Sequence, residues 1–232
     1  MNQFTLATRF CAALLAAVAA FGVWAQTLDA PPTPEVGDKW TYRFHNKGDK
    51  REPYLYTNQV KFLDGGSAWI HGESQQNAAQ VTTSVWRFDL KRADYVERFN
   101  SDPAAANGAG KRTIDRTSSD GALQFPLAVG KKFRVKFNWD NGRGFDELDA
   151  EVQAFEKIKV DGGEFDAYRI KYSGFWNQRD GGNYSGRVER TTWYAPGVKG
   201  LVKSTYMNRQ SNGQMWNDTV TELVKWEPAP PK

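Results

Sequence analysis

Two histidines and one cysteine narrow the chemistry open to this chain of 232 residues. His45 borders a turn and His71 lies in a strand-like run ending at Gly72, and no HxH or HExxH spacing is present. Both read as surface or edge residues, so no metal and no metal-ligand residue is expected. No GxSxG elbow presents a serine nucleophile, and no catalytic residue is assigned. Carboxylates are more plentiful. Asp140, Asp146, Glu147, Asp149 and Glu151 gather around one hairpin and have the chemistry of a calcium site or an acid–base pair. Gly142 and Gly144 stand where a calcium loop needs oxygen ligands. Asp149 and Glu151 share one strand face while Leu148 and Val152 share the other, the pattern of a solvated charged face.

The aromatics are the stronger lead, at 14% of the chain. Trp40, Trp69, Phe133 and Phe137 occupy strand positions where core packing is expected. Three tryptophans instead precede turns or polar loops: Trp139 before Asp140-Asn141-Gly142, Trp176 before Asn177-Gln178-Arg179, and Trp216 before Asn217-Asp218. An indole beside amide and guanidinium donors suits a sugar or an amphipathic lipid head. These three are the candidate ligand-binding residues, with loop packing as the structural alternative.

The elements that would position them repeat with period two. Trp40 to Phe44, Phe133 to Trp139, Leu148 to Val152 and Tyr168 to Tyr172 alternate as half-buried strands do. Asn46-Lys47-Gly48-Asp49, Asp64-Gly65-Gly66, Asp140-Asn141-Gly142, Asp161-Gly162-Gly163 and Asp180-Gly181-Gly182-Asn183 are hairpin signals between such runs. About ten strands and no helix are expected, with Ser101 to Gly121 a long loop. The fold class is all-β and antiparallel: a sheet curved into an open or partly closed barrel or half-barrel.

Two halves, 36–100 and 120–226, echo each other within one domain, 36–226. Val36 to Phe44 parallels Val129 to Phe137, Asp64-Gly65-Gly66 parallels Asp161-Gly162-Gly163, and Val81 to Trp86 parallels Val188 to Trp193. Hairpins of one composition also look alike, so the echo supports a duplication without requiring it. A Pro-rich tether at 26–35 and a Pro-rich tail at 227–232 are extended and expected to pack poorly.

Residues 1–25 read as a Sec-type signal peptide: Arg9, an apolar run from Phe10 to Val23, and Val23-Trp24-Ala25 where a signal peptidase cuts. The run is too short to span a membrane, and no transmembrane segment is expected in the mature chain. The only cysteine, Cys11, leaves with it, which excludes disulfides, a thiolate nucleophile and a thiolate metal site. Loss of Arg9 leaves thirty basic against twenty-seven acidic residues, a net charge of +3. That mild excess, without a basic block, excludes nucleic acid as a partner.

Phe125 to Lys131, Val160 to Ile170 and Thr192 to Lys203, in that order, resemble the TapB-like group of exported bacterial proteins, a domain of unknown function. The resemblance covers mainly 120–226, with Val36 to Phe44 as an opening strand. It implies a β-rich domain akin to the curved half-barrels of lipoprotein carriers such as LolA and LolB, and brings no catalytic residues. The expectation is therefore a periplasmic or secreted, non-enzymatic protein, without cofactor, that binds or carries an apolar or amphipathic lipid or glycan of the envelope. The alternatives are a hydrolase of envelope glycans using paired carboxylates, and a structural or interaction module. An outer-membrane barrel fits the alternation, but the Pro-rich C-terminus and a mean hydropathy of −0.67 oppose it.

Overall fold

A computed structural model describes residues 27–48, 52–77, 80–100, 112–113, 121–139, 142–179 and 184–231. The signal peptide, most of the loop expected at 101–121, and the turn residues Asp49, Asp140, Asn141 and 180–183 lie outside them. Twelve strands form one antiparallel sheet: β1 (Lys39–Asn46), β2 (Tyr54–Asp64), β3 (Ser67–Asn77), β4 (Gln80–Asp89), β5 (Asp94–Asn100), β6 (Arg112–Thr113), β7 (Lys132–Trp139), β8 (Gly144–Val160), β9 (Gly163–Gln178), β10 (Ser185–Ala195), β11 (Gly200–Gln210) and β12 (Met215–Glu227). The order across the sheet is β6-β5-β4-β3-β2-β1-β12-β11-β10-β9-β8-β7. The expected all-β, antiparallel, curved and open architecture is what the chain adopts. Arg112 and Thr113, expected in a loop, pair with Phe99 and Arg98 as the edge strand β6.

The first six strands form one meander and the last six another, the edge strand β6 lying beyond the expected first half, and the two meet where β1 pairs with β12. The echoed segments fall on the same ordinal places, namely the first strand, the second hairpin turn and the fourth strand of each meander. Alternation fixes the faces: in β8, Asp146, Leu148, Ala150 and Val152 are buried while their neighbours face out. Register shifts interrupt the ladders at Thr41/Tyr42, Val60/Phe62, Arg87/Phe88, Val152/Ala154 and Trp193/Tyr194. Such bulges bend strands and sharpen the sheet's twist, so curvature follows.

Two devices hold that curvature. The described part of the β6–β7 connection, 121–131, spans the inner side between distant strands. Its Ala122 N–H donates to Asp94 on β5 at 3.2 Å, and its Ala122 carbonyl accepts from the Tyr172 hydroxyl on β9 at 2.9 Å. Leu123 and Leu127 are buried in the core formed by Val135, Leu148, Val152, Ile170 and Val188. The β8–β9 hairpin runs past the end of β10, and its tip reaches β12 and β1: Gly162 N–H donates to Leu223 O at 3.0 Å and Arg43 pairs with Asp161 at 2.6 Å. A second core lies there, with Trp40, Val60, Ile70, Val160, Val198, Val202 and Leu223.

The segments flanking the sheet are anchored, contrary to the expectation of loose ends. Leu28 exchanges both backbone hydrogen bonds with Leu127 (2.9 and 2.8 Å). Asp38, fully buried, accepts from Glu35 N–H at 2.7 Å, Ala229 N–H at 2.8 Å and Lys199 Nζ at 2.9 Å. Tether, tail and the β10–β11 turn converge on one carboxylate. Prolines removed donors from both segments, but the remaining N–H groups suffice.

Candidate ligand-binding site

The inner face carries a belt of aromatic rings that crosses the sheet from β5 to β9. Strand parity places Trp86, Tyr56, Tyr42 and Tyr172 on that face, and cross-strand neighbours bring their rings together. Trp86 meets Tyr95 edge-on at 5.4 Å, and Tyr42 stacks on Tyr56 at 5.2 Å. Asn58 Nδ2 donates to the Tyr95 hydroxyl at 3.3 Å, and the Tyr42 hydroxyl donates to Leu201 O at 3.1 Å. On the far wall Tyr172 meets Phe133 edge-on at 6.3 Å. Gly72 belongs to this layer: a Cβ there would crowd Ser84 Oγ, Trp86 Nε1 and Asn58 Oδ1 at 2.9–3.2 Å.

Two guanidiniums lie on the belt. Arg98 sits over the Trp86 ring at 5.3 Å, and Arg190 over the Tyr172 ring at 5.6 Å. Burial raises the Tyr56 phenol above its ordinary value and Tyr95 adds to the rise, while a hydrogen bond with Thr221 and the charge of Arg190 pull it back. Tyr56 is on β2 and Arg190 on β10, so this influence acts across the curve of the sheet. Burial likewise pushes Tyr95 up to about 12. Between the two cores, Phe44, Tyr54, Tyr56, Arg190, Ser204, Tyr206, Thr219 and Thr221 are only half-buried. That stretch of the inner face presents half-buried rings and hydroxyls side by side.

The three tryptophans singled out by sequence fall at strand ends. Trp176 is not an exposed loop residue: it faces inward in β9, is 3% exposed, and donates from Nε1 to Arg209 O at 3.3 Å. Alternation from Ile170 through Tyr172 and Gly174 carries it to the core side. Trp216 is 45% exposed and packs edge-on against Trp176 at 4.8 Å. Trp139 ends β7 opposite Gly144, and its side chain lies outside the described positions. Two of the three therefore come together. Trp69, expected in the core, faces outward instead, stacked on Phe62 (5.5 Å) and tilted against Phe99 (5.8 Å), because its neighbours Ala68 and Ile70 take the buried face.

The carboxylates lie elsewhere. On the outer face of β7 and β8, Lys132 pairs with Glu151 (3.5 Å), Arg134 with Asp149 (2.9 Å) and Lys136 with Glu147 (3.5 Å), each directly across the ladder. This is a charged solvated face; a shallow depression there is lined by Lys132, Asp149, Glu151, Lys171 and Ser173. Asp146 is buried on the opposite side. Among the described residues no three of His, Cys, Asp and Glu converge as metal ligands, and no helix is long and apolar enough to cross a membrane.

The sequence reading missed Arg190 and the tyrosines of the belt. A signal was available: Val188-Glu189-Arg190-Thr191-Thr192-Trp193-Tyr194 puts an arginine on the parity of Val188, Thr192 and Tyr194, which are buried.

No protein-family model matches the chain and no curated protein matches it, so the TapB-like resemblance rests on the three quoted segments alone. Among solved structures, the chain is similar to an exported protein of Bacteroides fragilis described as having a YmcC-like fold, at 12% identity and a TM-score of 0.47, over 86% of this chain and 100% of that one. It is also similar to a protein of Parabacteroides distasonis described as a lipoprotein, at 13% identity and a TM-score of 0.43, over 87% and 100%. A third is the hypothetical lipoprotein YmcC of Escherichia coli, at 10% identity and a TM-score of 0.43, over 84% and 86%.

Proposed function

We propose that this is an exported, non-enzymatic binding protein whose inner sheet face takes an amphipathic ligand of the cell envelope. The observation that carries the reading is the half-buried stretch of aromatic rings and hydroxyls on the inner face, between the two cores. A protein that needed those rings only for packing would bury them, as it buries Tyr168 and Trp176. Rings take acyl chains or sugar faces, and hydroxyls satisfy polar groups that enter with them. Trp216, against Trp176 at one end of the sheet, extends the aromatic surface outward. The hydrolase reading has no comparable support, since Asp149 and Glu151 are each held by a cation on the outer face.

The test is titration of the mature chain, from Gln26 onward, with a fluorescent fatty-acyl probe, alongside solvent extraction and mass spectrometry of protein purified from its own envelope. Saturable binding with a shift in Trp emission, and a lipid in the extract, are expected. No saturable binding and an empty extract would overturn the reading. Intact mass of the periplasmic form should correspond to a chain starting at Gln26; retention of residues 1–25 would refute export by this route.

A further inference from the structure

The outer face of β7 to β12 changes character along one row of cross-strand neighbours. The ladders set Lys136, Glu147, Phe175, Arg187, Arg209 and Met215 side by side, one per strand, toward the end of the sheet that carries the β11–β12 turn. The row opens as an ion pair, Lys136 with Glu147 at 3.5 Å, in the manner of the two rows beside it on β7 and β8. From β9 onward the acids stop. Phe175 is 60% exposed, the highest value among the large apolar side chains described, and Arg187, Arg209 and Met215 are exposed with it. The Arg187 guanidinium lies over the Phe175 ring at 5.8 Å, and Arg209 reaches the Met207 sulfur at 3.7 Å. Among the described residues no carboxylate pairs with either arginine, Glu189 one row further along β10 included. Arg187 and Arg209 stand directly opposite each other on the ladder, where like charges repel.

We infer that this end of the outer face docks on the surface of an anionic lipid bilayer. Folding gains nothing from two facing cations without an acid between them, or from a phenyl ring and a thioether left in water beside them. Anionic headgroups over an apolar interior relieve the repulsion and take the apolar side chains in the same contact. Trp216 and Tyr184, exposed at the same end of the sheet, are the ring types that settle at headgroup level. The register shift at Asn208/Arg209 leaves Trp216 as the extra residue of a bulge, braced edge-on against the buried Trp176 at 4.8 Å. An acidic protein would answer the arginines through charge alone; Phe175 and Met215, flanking them in the row, favour a partner with an apolar layer beneath its anions. The docking surface is separate from the inner face and does not depend on what that face binds.

The experiment floats the full mature protein with vesicles of phosphatidylcholine alone and of phosphatidylcholine mixed equally with phosphatidylglycerol. Wild type should favour the anionic vesicles about tenfold or more at low salt and lose that preference near 1 M salt, where screening reaches ~3 Å. The double variant Arg187→Gln/Arg209→Gln should bind them about twenty-fivefold more weakly, about fivefold for each charge. Phe175→Ser should weaken binding about five- to tenfold through lost apolar contact. Lys61→Gln/Lys91→Gln removes the same charge from exposed sites at the other end of the strands and should change binding less than about threefold. All five positions are exposed, so thermal midpoints should match wild type and show the variants folded. No preference for anionic vesicles, or equal weakening by the Lys61 and Lys91 pair, overturns the inference. So does binding to soluble polyglutamate as tight as to vesicles, with Phe175→Ser without effect on either, which assigns the surface to an acidic polymer. The fatty-acyl titration reads the inner face separately, so either reading can fall alone.

Discussion

Replacing Asp38 by alanine should be the most damaging single change outside the hydrophobic cores. The side chain is fully buried and holds three donors from three parts of the chain: Glu35 N–H, Ala229 N–H and the Lys199 ammonium, at 2.7–2.9 Å. Truncation leaves Lys199, whose side chain is 19% exposed, with Glu35 alone at 3.0 Å. Removing one partner of a buried ion pair costs about 3–5 kcal/mol. The two orphaned N–H groups would add about 1–3 kcal/mol each if they stayed dry, but both lie on end segments that can lift into water, which caps the total. A loss of about 4 kcal/mol is a large share of the roughly 5–15 kcal/mol by which domains are stable. For a domain of this size it corresponds to a fall in Tm of roughly 8–16 °C. Asp38→Asn keeps an acceptor oxygen and loses the charge, so its fall should be about half. Thermal denaturation followed by far-UV circular dichroism reads both. A drop below about 3 °C for Asp38→Ala would refute the argument that one carboxylate ties the chain's flanks to the sheet.

Alkaline pH should destabilise the fold early. Burial raises the phenols of Tyr42, Tyr56, Tyr95 and Tyr194 above the ordinary 10.0. Burial works against the Lys199 ammonium, but hydrogen bonds to Asp38 and Glu35 hold it above its ordinary 10.5. A raised folded pKa gives stability that is complete below the unfolded value and lost as pH climbs toward the folded one, so urea midpoints should fall steeply above pH 10. Tyr95 alone, pushed up to about 12, accounts for on the order of 2–3 kcal/mol; a flat midpoint across that range would contradict this. Gly186→Ala should cost about 2–3 kcal/mol in urea denaturation, because a Cβ there meets Arg209 O and lies 2.6 Å from the Trp176 indole nitrogen. Trp216→Ala should cost only about 1 kcal/mol, the ring pair with Trp176 being its main contact, and should remove near-UV dichroism from that pair; an unchanged spectrum would place the rings apart.

Strands were legible because alternation is a local signal. Phe133 to Trp139 and Leu148 to Val152 declare their buried sides in five to seven residues, and Asp64-Gly65-Gly66 and Asp161-Gly162-Gly163 close hairpins as read. Partnership between distant strands was not legible. Nothing in Trp40 to Phe44 announces Leu223 and Trp226 as neighbours, and nothing in Pro31-Pro32-Thr33-Pro34 announces the Asp38 junction. Curvature was hidden for the same reason: a register shift such as that at Val152/Ala154 depends on the facing strand. The candidate site suffered most. Trp176 reads as a loop flank because Asn177-Gln178-Arg179 follows it, yet strand parity, counted from Ile170, carries it inward. Arg190 and the belt tyrosines become a site only once β2 and β10 face each other across the bend.

The meeting of β1 and β12 in the middle of the sheet has a topological consequence. Across the sheet the strands run 7 to 12 and then 1 to 6, so the chain order is that of a single twelve-stranded meander cut at its centre and spliced at its edges. A circular permutant that links the segment after Glu227 to the one before Lys39, and opens the connection between Thr113 and Gly121, would make every strand pair a sequence neighbour. Among the twelve strands, the natural order confines distant pairing to one ladder, from Lys39↔Glu227 to Asn46↔Thr219, flanked by the Asp38 junction. Each meander can zip from its own turns, and that seam is where the two must recognise each other, so the slowest search in folding falls on β1, β12 and the carboxylate that fastens them.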